Sequence, residues 1–329
     1  MTPTTPVEAK YTKFSCPNPE CCLFNQPGQG NIVHRSWTGR DKGIERLRCS
    51  LCQKEFSERE GTLMARGKLP EEKVIRLTKC QRWGVCDEGT ADICEVDIKT
   101  VHRFQGMSSG RAQEHQHQVA CELEVEGVQV DEAHSKRRPK KVEWIHTALA
   151  MGSLFILFVA FGPRNTDTAA YLIAQVVARL KAAPLFLTDG WKAYPAALLR
   201  VLGKVYRPRR KGKVGRFPKP RVVAPPNLFY AQVIKVRDQA GLTVEVKRKV
   251  VFGGPRRFFK QLFQKCLGTT IQTAFMERWY ASLRGWVAAL RRRTRCLSWS
   301  SQRHQGRVWL MISLYNFVIP HKSLRQGKT

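Results

Sequence analysis

Residues 127–131 read GVQVD, and residues 184–190 read PLFLTDG. Each is a short apolar run that ends in an aspartate, and runs of this length predict strands. Two further strands are predicted at 143–149 (EWIHTAL) and 153–160 (SLFILFVA), in an antiparallel meander with the first. A helix is predicted at 166–181, and a second helix follows the fourth strand. This order predicts an α/β (α+β) fold, a mixed sheet with helices on its faces.

The stretch 148–162 (ALAMGSLFILFVAFG) is the one segment that is apolar enough to imitate a membrane span. At 15 residues it is too short to cross a bilayer comfortably, and Gly152-Ser153 interrupts it. We therefore expect two buried strands joined by a tight turn. The N-terminal sequence MTPTTPVEAK lacks the charged and apolar regions of a secretory signal, so we expect a soluble protein in a reducing compartment.

Positive charge is concentrated in the second half of the chain. The 329 residues include 57 Lys+Arg and 26 Asp+Glu, a formal net charge of +31. Residues 1–188 hold 26 basic and 22 acidic residues and contribute only +4, whereas residues 189–329 hold 31 basic and 4 acidic residues and contribute +27. So positive a surface favours a polyanionic partner, most simply nucleic acid, over an acidic-protein target or an ordinary metabolic role.

Residues 1–62 are predicted to form a zinc-ribbon-like module. Four of the 11 cysteines occur in two closely spaced pairs: Cys16, Cys21, Cys49 and Cys52. Two such pairs deliver four thiolates tetrahedrally to one structural Zn²⁺. Cys22 is an alternative to Cys21 as a ligand, and buried thiols without metal are the alternative to a zinc site. The expected aromatic core of the module is Phe14, Trp37 and Phe56.

Residues 63–106 are predicted to form a helix-turn-helix. Pro70 begins the first helix, and Asp87 and Asp97 are the predicted N-caps of the second and third helices. The third helix is expected to present its basic residues to DNA: Lys99, His102 and Arg103. A plain helical connection with a solvated face is the alternative. Residues 107–122 are polar and contain Gly and Ser, which is typical of a linker.

Two aspartates end predicted strands, and a glutamate lies on a later predicted helix. If the strands of Asp131 and Asp189 are neighbours, their carboxylates meet at one edge of the sheet. Glu277 shares a helix face with small residues and Arg284. Three converging carboxylates require cations, and their hard oxygens suit Mg²⁺ or Mn²⁺. Two such ions activate a water or a 3′-hydroxyl and stabilise the leaving oxygen of a phosphodiester.

Each acid also has a plainer interpretation. Asp131 can be a solvated strand end, with Glu132 as the functional neighbour. Asp189 can serve only as a turn former, because Asp-Gly is common turn chemistry. Glu277 can pair with a nearby base such as Arg278. Their joint placement after the first strand, after the fourth strand and on a late helix favours the metal-binding interpretation.

Residues 204–226 are predicted to be a basic surface insertion, since nine of the 19 residues at 204–222 are Lys or Arg. A hairpin is predicted at 228–252, with its turn at 238–241. The residues expected to hold phosphates without reading sequence are Arg209, Arg210, Lys211, Lys213, Arg291, Arg292 and Arg293.

Taken in order, three motifs resemble the DDE-type transposases of bacterial insertion sequences, most closely the insertion-sequence-one-like family. They are Gln129-Val130-Asp131-Glu132, Leu187-Thr188-Asp189-Gly190-Trp191-Lys192-Ala193-Tyr194, and Phe275-Met276-Glu277-Arg278 followed seven positions after the glutamate by Arg284. Trp279-Tyr280 stand where relatives often carry Leu-Asn. The resemblance implies a ribonuclease-H-like catalytic domain at 123–320, behind the zinc ribbon and the helix-turn-helix. It also implies that Asp131, Asp189 and Glu277 bind two Mg²⁺ (or Mn²⁺) ions per active site, with Arg284 as the family's basic residue.

This resemblance implies an enzyme that binds the terminal inverted repeats of an insertion sequence, nicks them and joins the freed 3′-hydroxyl to target DNA. We expect it to act on DNA as a homodimer or larger assembly, away from membranes, in the nucleoid-containing cytoplasm of a prokaryote. Two alternatives remain at this point: a catalytically silent, sequence-specific DNA-binding regulator, and a structure-specific metal-dependent nuclease.

Overall fold

The fold is that of a computed structural model, which describes residues 10–39, 43–62, 64–65, 67, 69–139, 141–209, 218–321 and 324. Three residues expected to hold phosphates lie outside this part: Arg210, Lys211 and Lys213. The chain divides into two compact units. The first contains residues up to Cys80 together with Asp92–Val96, and the second contains Gln81–Ala91 together with the residues from Asp97 onward. Within the described residues, no helix has the length and apolar character to cross a membrane.

A small antiparallel sheet forms the first unit's β structure: β1 (Ile32–Thr38), β2 (Ile44–Cys49) and β3 (Glu55–Ser57), in that order. Its core contains Leu47, Phe56 and the paired cysteines, with Phe14 partly buried beside them. Trp37, which the sequence placed in this core, is half-exposed. The register of β1 shifts between His34 and Ser36, and Trp37 packs outside the core against the His34 ring, 5.5 Å between centroids.

Three helices follow: α1 (Glu71–Arg82), α2 (Asp87–Cys94) and α3 (Ile98–Val119). Asp97 caps α3 as predicted, accepting a hydrogen bond from the backbone N–H of Lys99 at 2.7 Å. Val101 and Phe104 are buried, as the helical periodicity indicates. The three predicted helices therefore exist, but the third is much longer than the sequence suggested.

The extension of α3 corrects the prediction of a linker at 107–122, because this helix continues through most of that stretch to Val119. Its small and polar residues pack against a later helix, α8 (Ser301–Phe317). A Cβ atom on Gly306 would lie only 2.7 Å from the Ser109 hydroxyl, so the two helices approach closely where their residues are smallest. The buried Gln116 accepts a hydrogen bond from the Asn316 side chain at 2.9 Å. The composition of this stretch did not predict a helix, because the helix is stabilised by packing against α8, which is distant in the sequence.

The second unit contains a six-stranded mixed sheet of order β11-β10-β7-β4-β5-β6. Its strands are β4 (Gly127–Arg137), β5 (Lys141–Ala150), β6 (Ile156–Gly162), β7 (Leu185–Asp189), β10 (Tyr230–Arg237) and β11 (Thr243–Phe252). The first three form the predicted antiparallel meander, β7 and β10 run parallel to β4, and β10 and β11 form the predicted hairpin. The apolar stretch 148–162 is thus two strands and a turn, as expected.

The elements around this sheet complete the second unit. They are α4 (Thr166–Val177), α5 (Ala193–Leu202), the short ribbon β8 (Lys204–Tyr206) with β9 (Arg221–Val223), α6 (Pro255–Gln264), α7 (Ala274–Trp286), a 3₁₀ turn (Ala288–Leu290) and α8. Asn165 caps α4, since its side chain accepts from the Thr168 N–H at 2.9 Å. The fold class is therefore α/β with a mixed sheet, as predicted.

Candidate functional site

Two central parallel strands bring the predicted aspartates together. β4 and β7 pair from Gly127–Leu185 to Val130–Thr188, so Asp131 and Asp189 both follow the last paired position. Together with Glu132 they form an acidic cluster whose ligand oxygens all lie within 4.8 Å of one another. The sequence was wrong on one detail: β4 does not end at Asp131 but continues to Arg137, because β5 pairs with it throughout. Asp131 lies where β4 stops pairing with β7 but continues to pair with β5.

The electrostatics of the acidic cluster favour a bound cation. Burial, followed by the charges of Asp189 and Glu132, raises the pKa of Asp131 to about 8. Burial and the Glu132 charge raise the pKa of Asp189 to about 6, although this carboxylate also accepts a hydrogen bond from the Trp191 N–H at 3.0 Å. Closely spaced carboxylates that resist ionisation offer hard oxygen ligands whose repulsion a divalent cation relieves. The two aspartate carboxyl groups therefore fit Mg²⁺ or Mn²⁺, with a Glu132 oxygen within 4.8 Å of them.

Glu132 is the most buried member of the acidic cluster, with its side chain only 2% exposed. It lies 2.6 Å from the Arg164 guanidinium and accepts a hydrogen bond from the Tyr194 hydroxyl, also at 2.6 Å. Arg164 in turn lies over the rings of Trp144 and Trp191, at 5.0 and 4.8 Å from their centroids. These contacts tie three separate chain segments to one carboxylate. Sequence reasoning noticed Glu132 but missed Arg164, which no motif marks.

Glu277 approaches the acidic cluster from α7, whose position the sheet determines. The Gln129 side chain donates to the Gln272 carbonyl oxygen at 2.8 Å and accepts from the Met276 N–H at 3.3 Å. One turn later, the Tyr280 hydroxyl lies 2.8 Å from the Asp131 carbonyl oxygen. Helix α7 is therefore held beside the acidic cluster on both sides of Glu277.

The Glu277 carboxylate is half-exposed and forms an ion pair with Lys235 of β10. Its charge raises the pKa of Asp131, although it does not belong to the group of oxygens within 4.8 Å. The ammonium of Lys235 also acts on Asp189, whose pKa it lowers. Glu277 is thus near the two aspartates but is neutralised by a lysine that sequence reasoning did not identify.

Arg284 lies two turns after Glu277, with its guanidinium 5.9 Å from the Tyr280 ring centroid. Among the ion pairs of the described residues, none joins Arg284 to a carboxylate of the site. Tyr280 supplies the contact to the strand backbone. The predicted basic residue is therefore beside α7's anchoring tyrosine rather than on the acids themselves.

Asp131→Asn is expected to change how the stability of the metal-free protein depends on pH. Folding raises the pKa of Asp131 from 3.8 to about 8, so the free energy of unfolding falls as pH rises between these values. Burial lowers the pKa of His146 and His304 from 6.5 to about 4, so these histidines add stability as pH rises, but they do so equally in the wild type and in the variant. Between pH 6.5 and 8 the stability of the wild-type protein should therefore fall relative to that of the variant, by an amount on the order of 1–2 kcal/mol.

Urea unfolding of metal-free protein at pH 6.5 and pH 8 measures this difference. Glu245→Gln is the control, because Glu245 is an exposed carboxylate on β11 and its removal should leave the wild-type pH dependence unchanged. Equal losses of stability in the wild type and in Asp131→Asn would contradict the assignment of Asp131 as a proton-holding carboxyl.

The paired cysteines of the first unit converge as their spacing predicted. The Sγ atoms of Cys16, Cys21, Cys49 and Cys52 all lie within 4.8 Å of one another. A tetrahedral zinc thiolate site separates its sulfurs by roughly 3.8 Å, given Zn–S bonds of about 2.3 Å. The Cys16–Cys52 and Cys21–Cys49 sulfurs are 3.4 and 4.0 Å apart, and Cys22 is exposed outside the group. The geometry thus fits one zinc ion and selects Cys21 over Cys22.

Hydrogen bonds at this cysteine cluster favour thiolates at two positions. The Lys54 backbone N–H lowers the pKa of Cys52 to about 6. Asn31 donates from its side chain to the Cys49 sulfur at 3.2 Å. Burial instead raises the pKa of Cys16 to about 12, so this thiol needs a cation to ionise near neutral pH. Such a mixture of ionised and protonated thiols fits a metal-binding set better than four inert core residues.

The residues predicted to contact DNA are mostly exposed. Those with exposed side chains are Lys99, Arg103, Arg209, Arg291, Arg292 and Arg293. His102 is less accessible, because it lies 3.3 Å from the Asp87 carboxylate. Arg291 donates to the carbonyl oxygens of Trp83 and Gly285, both at 3.0 Å. Arg291 therefore stabilises the chain after α7, whereas Arg292 and Arg293 form no ion pair within the described part of the protein.

Comparison with known proteins adds no assignment. No protein-family model matches this chain, and no curated protein matches it.

Proposed function

We propose that this protein is a metal-dependent DNA transposase of the DDE type. One observation carries the proposal: Asp131, Glu132 and Asp189 converge at the centre of a mixed sheet, and the chain from Asp189 onward has a net charge of +27. Carboxylates that attract cations, inside a strongly basic half, suit a phosphodiester substrate. The central β4–β7 strand pair, with helices on the sheet faces, supports the inference of a ribonuclease-H-like domain.

In this proposal Asp131 and Asp189 would hold the divalent ions, and Glu277, which pairs with Lys235, would be the third carboxylate available to them. Bound ions would activate a water or a 3′-hydroxyl and stabilise the leaving oxygen. The Lys235 ammonium, which lies beside Glu277, would be placed to contact a phosphate oxygen. Glu132 keeps its charge compensated by Arg164 and Tyr194, so its role is to position the segments that carry the aspartates.

The first unit and α3 would locate the DNA ends. We infer one structural zinc on the four-cysteine cluster, and a helix-turn-helix formed by α1, α2 and the first turns of α3. The exposed Lys99 and Arg103 side chains support this inference, because they are free to reach base edges or phosphates. The exposed Arg292 and Arg293 suit contacts that do not depend on sequence.

A nicking and joining assay tests the proposal. Purified protein is incubated with Mg²⁺, a labelled duplex carrying the inverted repeats that flank its gene, and a target plasmid. We expect 3′-nicked ends, joined products, and neither when Mg²⁺ is replaced by Ca²⁺. Binding without either product would favour the DNA-binding regulator, and nicks at branched DNA without joining would favour the structure-specific nuclease; either result would overturn the transposase proposal.

A further inference from the structure

A second basic surface lies in the second unit, away from the acidic cluster. Two cavities of about 490 and 370 Å³ share His102 and Arg303 in their walls. They are adjacent along α3, the segment 295–300 and the first turns of α8, and we call the two together the Trp299 groove. Arg138 in its wall is seven residues beyond Asp131, about 20 Å along an extended strand. The groove is therefore separate from the proposed catalytic centre.

Trp299 is the most unusual residue of this groove. Its side chain is 68% exposed, although a tryptophan normally contributes its large surface to a core. The Arg138 guanidinium lies over its ring, 5.2 Å from the centroid. The residues on both sides are fixed: the Ser298 carbonyl oxygen accepts from the Arg138 N–H at 3.0 Å, and Ser300 caps α8. The indole is thus presented to solvent from a rigid support.

The side chains around Trp299 are mostly positively charged, and most of these charges have no acidic partner within the described residues. The groove contains five arginines: Arg103, Arg138, Arg295, Arg303 and Arg307. Of its two acids, Asp87 is already paired with Arg307 and His102, which leaves Glu88 as the one acid beside the other four arginines of the groove. Within the described residues, no ion pair engages Arg138, Arg295 or Arg303. Solvated arginines beside an exposed aromatic ring are suited to a ligand with both phosphates and planar bases.

We propose that the Trp299 groove binds single-stranded DNA, with an unpaired base stacked on Trp299 and backbone phosphates on Arg295 and Arg303. A duplex keeps its bases stacked inside the helix and cannot offer one to the indole, whereas an unpaired strand can. Joining reactions expose unpaired nucleotides next to the cut, so this site would hold the strand flanking the reaction. The choice of DNA as the polyanion rests on the proposed function; the stacking and charge arguments do not.

Fluorescence anisotropy of a labelled 12-nucleotide oligo(dT), with full-length protein and no Mg²⁺, tests this inference. Stacking on one aromatic side chain is worth about 1–3 kcal/mol, so Trp299→Ala should weaken binding at least about fivefold. Trp299→Phe should retain most of the affinity, because the smaller ring still stacks. Trp83→Ala is the matched control: Trp83 is 66% exposed and lies beside Arg82, but it does not line the groove, and its loss should have no effect.

Three results would overturn the inference: oligo(dT) affinity of Trp299→Ala within twofold of wild type, an equal loss in Trp83→Ala, or displacement of oligo(dT) by an equimolar poly-glutamate peptide. The last would indicate an acidic-protein partner instead. Because binding is measured without Mg²⁺, its outcome is independent of catalysis. Trp299-dependent binding in a protein that neither nicks nor joins DNA would overturn the proposed function and leave this inference standing.

Discussion

Asp189→Asn is expected to remove both nicking and joining of end DNA, by about 1000-fold or more, while duplex binding stays within about twofold. The asparagine has nearly the same shape and keeps an oxygen that can accept the hydrogen bond from the Trp191 N–H, so the turn after β7 should persist. It removes the negative charge that the proposed cations require. The measurement is product formation with Mg²⁺, together with an electrophoretic binding assay on the same DNA.

The matched control for this substitution is Asp238→Asn. Asp238 is another of the four acids from residue 189 onward, but it lies at the turn of the β10–β11 hairpin, where its carboxylate accepts from the Leu242 N–H at 2.8 Å. Asparagine can keep that bond, so activity should be unchanged. Cleavage that survives in Asp189→Asn at the level of Asp238→Asn would remove Asp189 from the catalytic machinery.

Cys49→Ser is expected to release zinc and unfold the small sheet of the first unit. Cys49 is a fully buried member of the four-thiol group, in contact with Cys21 and Asn31. A structural zinc site contributes about 10–16 kcal/mol in small zinc-binding peptides, far more than a core of a few side chains supplies. Metal analysis should fall from about one equivalent to less than about 0.2, and limited proteolysis should cut the first unit of the variant.

Cys22→Ser provides the control, because Cys22 is the exposed neighbour of Cys21. It should keep a full equivalent of zinc and the wild-type proteolysis pattern. Wild-type protein that holds less than about half an equivalent after purification without chelators would count against the zinc site. Loss of zinc in Cys22→Ser, with retention in Cys21→Ser, would show that the alternative ligand is the one used.

Features carried by neighbouring residues were predictable from the sequence. The succession of apolar runs predicted the β4–β5–β6 meander, and the turn residues at 238–241 predicted the hairpin. The position of Asp97 before a helical pattern predicted that it caps α3. Cysteine spacing predicted the four-thiol group. In each case the predictive pattern spans only a few residues. The hydrogen bonds of helix caps and turns are local, and so is the close spacing of each cysteine pair.

Features that depend on distant partners were not predictable. The stretch 107–119 has the composition of a linker, yet it is helical because α8 covers its small residues. The extension of β4 to Arg137 depends on β5, since pairing along the whole strand satisfies its backbone. Trp37 was expected in a core, but a register shift in β1 accompanies its position outside that core. The composition of a segment does not reveal which distant elements pack against it, and in these cases those contacts determine its structure.

The sequence by itself determined the α/β class, the charge asymmetry and the candidate acids Asp131, Asp189 and Glu277. The tertiary structure decided which charges meet: Glu132 joins the aspartates with Arg164 as its partner, and Lys235 neutralises Glu277. The physical reason is that Coulomb energy depends on distances in space, and these are determined by strand pairing and helix packing between residues far apart in the chain.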